Sequence, residues 1–187
     1  RYVADASLQD YLEKQNIVAI EDVDTRALVT HVRTKGAMNC IISSEILDVA
    51  QLKAELDKVP SMDGLELAST VSTTEAYTLG DENADIRIAV MDFGTKKNIL
   101  TCMTDRGAYL KVFPAKTPAA EVIAFNPDGY FISNGPGDPA SMDYAIATVK
   151  EILQQRKPTF GICLGHQLLA LANDISTFKM HHGHRGL

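Results

Sequence analysis

The sequence predicts an α/β protein built on a doubly wound parallel sheet, and two observations carry that prediction. From Ile86 onward, apolar runs of strand length (87–91, 109–113, 130–133 and 159–162) alternate with segments of helical length. Strands separated by whole helices need crossover connections, so the strands lie parallel and the helices cover both faces. The second observation is that the loops after the last two runs hold glycines and a cysteine. In such sheets ligands bind at the carboxyl ends of the strands, where those loops lie.

A smaller α/β unit is expected ahead of this sheet. Ser7-Leu-Gln-Asp10 can cap a short helix, and 17–20 reads as a buried strand. Asp24 is a candidate N-cap for a helix that groups Ala27, Leu28, His31 and Val32 on one face and stops at Gly36. A further strand is expected at 38–42, then a helical pattern at 48–59 broken by Pro60. Residues 68–84 are polar and without helical period, which predicts an extended linker. In the second part, helices are expected at 96–105, ending at Gly107; at 117–125, ending before Asn126-Pro127; at 141–155; and at 164–172.

Bulk properties narrow the function classes. The chain has 187 residues, 45% of them hydrophobic, and a formal net charge of −6 with acids and bases interspersed. That argues against a nucleic-acid partner. No run approaches the length of a membrane span and no signal peptide is visible, so no membrane partner is expected. Three cysteines (Cys40, Cys102, Cys163) without a CxxC pair argue against a disulfide framework and make a reducing, cytoplasmic setting the expectation. Cys40 and Cys102 read as small core residues, as do Met103, Met142 and Met180.

The most informative stretch is Gly161-Ile-Cys163-Leu-Gly165, between an apolar strand and a helix. A nucleophile on a sharp strand-to-helix turn needs minimal side chains two positions to either side. The helix start favours an anion, so the thiol is expected to react as thiolate, with the Leu164 N–H facing a developing oxyanion. One strand earlier, Asn134-Gly-Pro-Gly-Asp-Pro139 is rigid and nearly free of side chains, suited to offering a second backbone donor. Asp92-Phe-Gly94 reads as a strand-end turn, and no phosphate-binding Gly-Lys-Ser/Thr sequence follows Gly135-Pro-Gly137.

Together, Phe160-Gly-Ile-Cys-Leu-Gly-His-Gln-Leu-Leu169 and Ile132-Ser-Asn-Gly-Pro-Gly-Asp-Pro139 resemble the class I, triad-type glutamine amidotransferase family. The match is closer still to the carbamoyl-phosphate synthase small-subunit family, to which the Asp24-Thr-Arg26 segment narrows it; Val90-Met-Asp-Phe-Gly-Thr-Lys-Lys-Asn-Ile-Leu100 is similar to that family's first amidotransferase strand and helix. Asp22-Val-Asp-Thr-Arg-Ala-Leu28 and Lys35-Gly-Ala37 are similar to that family's amino-terminal domain, and Ala76-Tyr77 falls where its linker would be. The resemblance covers essentially the whole chain. It implies a flavodoxin-like amidotransferase sheet, with 1–66 belonging to the amino-terminal domain, 67–85 to the linker and 86–187 to the amidotransferase domain.

It also implies roles. Cys163 would be the nucleophile toward L-glutamine; the backbones of Leu164 and Gly137 would form the oxyanion hole; Gly135, Gly137, Leu164 and Gln167 would line the glutamine site, with Lys96 nearby. No metal or cofactor is implied in this subunit. The implied partner is the large synthetase subunit, which would use ATP and magnesium and receive ammonia through an internal tunnel, for pyrimidine and arginine synthesis.

The sequence departs from the family in one respect. The family's His-Pro-Glu motif, which activates the cysteine from further downstream, does not occur, and the final Gly183-His-Arg-Gly186 resembles a stretch that precedes it. Both domains are therefore expected to be incomplete, and these residues alone to hydrolyse glutamine poorly. A catalytically deficient scaffold that regulates a synthetase is the alternative, and a cysteine hydrolase of the wider elbow superfamily a more distant one. The clustered His181, His182 and His184 read as a solvated loop rather than a metal site or a replacement base, and His166 as a packing or capping residue.

Overall fold

The computed structural model describes residues 6–181. The chain separates into two compact units: one runs to Ser61 and resumes from Lys179, the other is Met62–Phe178.

In the first unit three short helices follow the capping signals. Helix α1 (Leu8–Lys14) starts on Ser7, whose hydroxyl accepts the Asp10 N–H at 3.0 Å. Helix α2 (Thr25–Lys35) starts on Asp24, which accepts from Ala27 N–H at 2.9 Å, and ends at Gly36 with φ 94°. Helix α3 (Val49–Leu56) starts on Asp48, which accepts from Gln51 N–H at 2.8 Å. The strands expected at 17–20 and 38–42 do not form. A strand exists through its ladder to a neighbour, and no neighbouring strand runs beside these residues among those described. Their side chains are not buried either; Ile20 is 65% exposed.

The second unit holds the sheet. The stretch expected as an extended linker carries a short helix α4 (Ala68–Val71) and a strand β1 (Tyr77–Leu79). Then come β2 (Ile86–Asp92), α5 (Lys97–Thr104), β3 (Ala108–Pro114), α6 (Ala119–Ala124), β4 (Gly129–Ile132), α7 (Asp143–Gln154), β5 (Thr159–Gly161) and α8 (Leu164–Ala172). The strand order is β1-β3-β2-β4-β5, with β2 to β5 parallel and β1 antiparallel to β3. The predicted parallel α/β architecture is thus present.

Alternation along the strands divides the apolar residues between two faces. Ala89, Met91, Phe113, Tyr130 and Ile132 pack under α6, α7 and α8; Val90, Leu110, Val112 and Phe131 face α5. Helix α7 presents Ala145, Thr148, Val149 and Ile152 inward, the spacing of one helical face. Of the methionines expected in the core, Met142 is fully buried, Met103 packs at the edge of the α5 cluster, and Met180 is exposed. The chain leaves β2 for β3 on one side and returns past β2 to β4 on the other. That reversal makes the carboxyl ends of β2 and β4 the switch point of the sheet, the place where such folds bind ligands.

Candidate active site

Three loops meet at that end of the sheet, and each is shaped by backbone approaches that exclude side chains. At the elbow, Ile162 N–H donates to Ile132 O at 3.1 Å, extending the β4–β5 pairing one residue beyond the strand. Cys163 then takes φ 52° and ψ −110°, and α8 begins at Leu164. A β-carbon on Gly161 would lie 2.6 Å from the carbonyl group of Gly165, so the turn closes only with glycine at 161. Cys163 is exposed. Its carbonyl accepts the Gln167 N–H at 3.1 Å, which places Gln167, also exposed, one helical turn beyond it.

The Gly-Pro-Gly loop leaves β4 against the other two. Ser133 Oγ accepts the Phe93 N–H at 2.8 Å, and Asn134 Nδ2 donates to Gly94 O at 2.9 Å. A β-carbon on Gly135 would stand 2.0 Å from Phe93 O and 2.9 Å from Leu164 Cδ2, so Gly135 lies between the β2 turn and the elbow. Gly137 has φ 105°. Neither its N–H nor that of Leu164, the first in α8, has a hydrogen-bond partner among the described residues.

The β2 turn is held by Asp92, 7% exposed, and is the strand-end turn expected at Asp92-Phe-Gly94. Its Oδ1 accepts the N–H groups of Gly94 (3.0 Å) and Thr95 (2.8 Å), and Oδ2 accepts that of Thr73 (2.7 Å). Lys96 follows as the exposed residue ahead of α5. Thr95 Oγ1 and Asn134 Oδ1 are shielded from solvent with no hydrogen-bond partner among the described residues, a cost tolerated more often at functional sites than elsewhere.

A fourth segment, missed in the sequence, closes the loop from outside. Residues 64–67 lie along Gly137, with an antiparallel bridge between Glu66 and Gly137. Asp138 N–H donates to Leu65 O at 2.9 Å, and Gly64 N–H to Asp138 Oδ2 at 2.9 Å. The Glu66 carboxylate accepts Tyr144 OH at 3.0 Å and both the N–H and the hydroxyl of Ser69. Burial pushes the Glu66 carboxyl up, but the Ser69 and Tyr144 hydrogen bonds and the charge of Lys116 outweigh it, and the group sits below the usual glutamate value. Burial first, then the bond to Glu66 and its charge, push the Tyr144 phenol well up, so it stays a donor. Nothing in the local sequence marks this cluster, because its members are far apart in the chain.

The remaining sequence candidates lie elsewhere. His166 is exposed on α8. His181 belongs to the other unit, its ring Nε2 3.3 Å from Thr34 O. His182 and His184 lie outside the described residues. The expectation that Cys40 and Cys102 are core residues is corrected: both are exposed. Cys40 lies in the unit where, among the described residues, only Gly36 is buried, and Cys102 is on the outer side of α5. Among the described residues no group of His, Cys, Asp or Glu could hold a metal, and no helix is long and apolar enough to cross a membrane.

Cys163 is exposed at the start of α8, and the N–H groups of Leu164 and Gly137 carry no partner among the described residues. Residues 89–187, more than half of the chain, match the family "Glutamine amidotransferase class-I". The chain belongs to this family. The matched part holds the elbow and the Gly-Pro-Gly loop; a second match, "Carbamoyl-phosphate synthase small chain, CPSase domain", covers residues 1–42. Relatives named carbamoyl phosphate synthase small chain include that of Vibrio vulnificus (strain YJ016), 47% identical over 199 aligned positions, 98% of this chain and 52% of the relative. That of Synechococcus sp. is 45% identical, covering 98% of this amidotransferase chain and 50% of the relative. The chain spans about half the length of the curated relatives it matches.

Proposed function

We propose that the chain is part of a carbamoyl-phosphate synthase small subunit and carries its glutamine-hydrolysing nucleophile. The observation that carries this reading is Cys163, exposed at positive φ between two glycines, with the Leu164 and Gly137 N–H groups unengaged. In the proposed reaction the Cys163 thiolate attacks the carboxamide carbon of glutamine. A C–S bond forms and the carbonyl electron pair moves to oxygen, where the two amides hold the charge. When the carbonyl re-forms, the C–N bond breaks and nitrogen, taking a proton, leaves as ammonia. Water then attacks the thioester, the C–S bond breaks, and glutamate and the thiolate are released.

Gly135 lines the glutamine site through its backbone, and Gln167 and Lys96 are the polar groups for the amino-acid end of glutamine. The nucleophile and oxyanion donors lie on this chain; the proton for ammonia falls to the histidine of the downstream motif implied by the family resemblance. Ammonia then passes through a tunnel to the large synthetase subunit of a cytoplasmic heterodimer, where ATP and magnesium act. This subunit needs no cofactor of its own.

Labelling with a diazo-ketone analogue of glutamine tests the reading. Modification at Cys163, slowed by glutamine, is expected. Labelling at Cys40 or Cys102, or labelling indifferent to glutamine, would overturn it. Absence of labelling combined with tight binding to a synthetase subunit would favour the scaffold alternative.

A further inference from the structure

The family match begins at residue 89 and the amino-terminal match ends at 42, so residues 62–71 fall in neither. Yet these residues lie directly against the Gly-Pro-Gly loop at Gly137 and Asp138. We propose that residues 64–67 act as a strap that fixes the orientation of the Gly137 N–H, and that the Glu66–Tyr144 hydrogen bond is the latch that holds the strap down. Glu66 and Tyr144 are then positioning residues for glutamine hydrolysis. The inference rests on the amidotransferase reading above and extends it to a segment with no assigned role.

Three observations support it. A β-carbon on Gly137 would lie 2.8 Å from Leu65 O and 3.0 Å from Leu67 N, so the strap lies directly against the loop backbone. The bridge is made through Asp138 N–H and Leu65 O, at the residue next to Gly137, which leaves the Gly137 N–H itself unspent. A peptide plane pinned at its neighbour has little freedom to rotate, and a donor that need not reorganise is what an oxyanion hole requires. The strap itself is short: its ordered continuation is the four-residue helix α4, whose first turn Glu66 caps through Ser69. Besides the Asp138 bonds at Gly64 and Leu65 and the buried Ala68 beyond it, its side-chain tie to the body of the fold is the Glu66 bond to Tyr144 on α7, a helix anchored in the core through Val149 and Ile152. A carboxylate accepting from a phenol and two Ser69 groups at once is a directional joint, not a general apolar contact.

The experiment compares two reagents on the chain as it exists, in wild type, Glu66→Gln and Tyr144→Phe. Iodoacetamide alkylates sulfur by displacing iodide, without an oxyanion, and its adduct is read at the Cys163 peptide because Cys40 and Cys102 are also exposed; the diazo-ketone analogue takes up a proton, loses N2 and alkylates the same sulfur while its carbonyl oxygen is held by the two amides. The latch predicts that the maximal rate of diazo-ketone labelling falls about tenfold in each variant, while half-saturating concentration and iodoacetamide rate stay within about twofold. Equal loss with both reagents would mean a merely structural role and overturn the proposal, as would unchanged labelling. A wild-type chain that shows no glutamine-protected labelling would sink the amidotransferase reading, and the proposal with it; this differs from labelled wild type with unaltered variants, which sinks the latch alone. An independent readout is the Gly137 amide signal in 15N-glycine-labelled protein. It is expected to shift in Tyr144→Phe while that of Gly107, at the opposite end of the sheet, does not; an unmoved Gly137 signal overturns the latch even if both variants lose labelling.

Discussion

A β-carbon on Gly165 would stand 2.0 Å from the carbonyl oxygen of Ile132. That oxygen also accepts the Ile162 N–H at 3.1 Å, so it cannot move aside without breaking the pairing that leads into the elbow. Gly165→Ala is therefore expected to destabilise the fold by about 3 kcal/mol, at the upper end of overpacking costs, because the clash is with backbone and not with a side chain. Urea unfolding measures it. A loss below about 1 kcal/mol would mean that α8 can slide away from β4.

Cys163 pays for its exposure in backbone strain. A non-glycine residue held at φ 52° and ψ −110° costs on the order of 1–3 kcal/mol, whereas glycine there loses roughly 0.5–1 kcal/mol of chain entropy. Cys163→Gly is thus expected to raise stability by about 1 kcal/mol while abolishing diazo-ketone labelling. If that substitution lowers the urea midpoint, the cysteine is not strained.

The sheet was legible because each strand and helix is written in consecutive residues. The apolar runs at 87–91 and 109–113 sit inside β2 and β3, and the Asp24 and Gly36 signals bound α2 where they were expected. The elbow was legible for a related reason: its glycines, cysteine and helix start are neighbours in sequence. What was not legible depends on partners remote in the chain. Ile17 to Ile20 has strand composition, but composition does not supply a neighbouring strand. Tyr77–Leu79 looks like linker and becomes a strand because β3 offers an edge. Glu66 and Tyr144 meet only when α7 packs on the sheet, so no local pattern could announce them.

Asp92 offers a further test of how the site is held. Its carboxylate gathers three N–H groups, those of Thr73, Gly94 and Thr95, in a nearly buried position. Asp92→Asn turns one of the two accepting oxygens into a donor that faces an N–H. The expected loss is about 1–3 kcal/mol, the cost of leaving buried polar groups unmatched. Because the same turn backs Gly135, slower diazo-ketone labelling should accompany it. Thermal and urea unfolding together with labelling check both; a stable variant with slowed labelling would mean the turn can rearrange without unfolding.

The Glu66 latch also has a pH signature. Its carboxyl lies below the ordinary value of 4.5: burial opposes this, and the bonds from Ser69 and Tyr144 and the charge of Lys116 outweigh burial. A group with a lowered folded-state pKa binds protons more readily unfolded, so it stabilises the fold fully above the unfolded value. That contribution fades as pH falls from about 4.5 through the lower folded value. The stability difference between wild type and Glu66→Gln should therefore be flat from pH 8 to about 6 and shrink below about pH 4.5. Added salt should remove only the Lys116 part, since hydrogen bonds are not screened as charges are. A difference that grows as pH falls would mean that Glu66 is repelled, not held, where it sits beside Gly137.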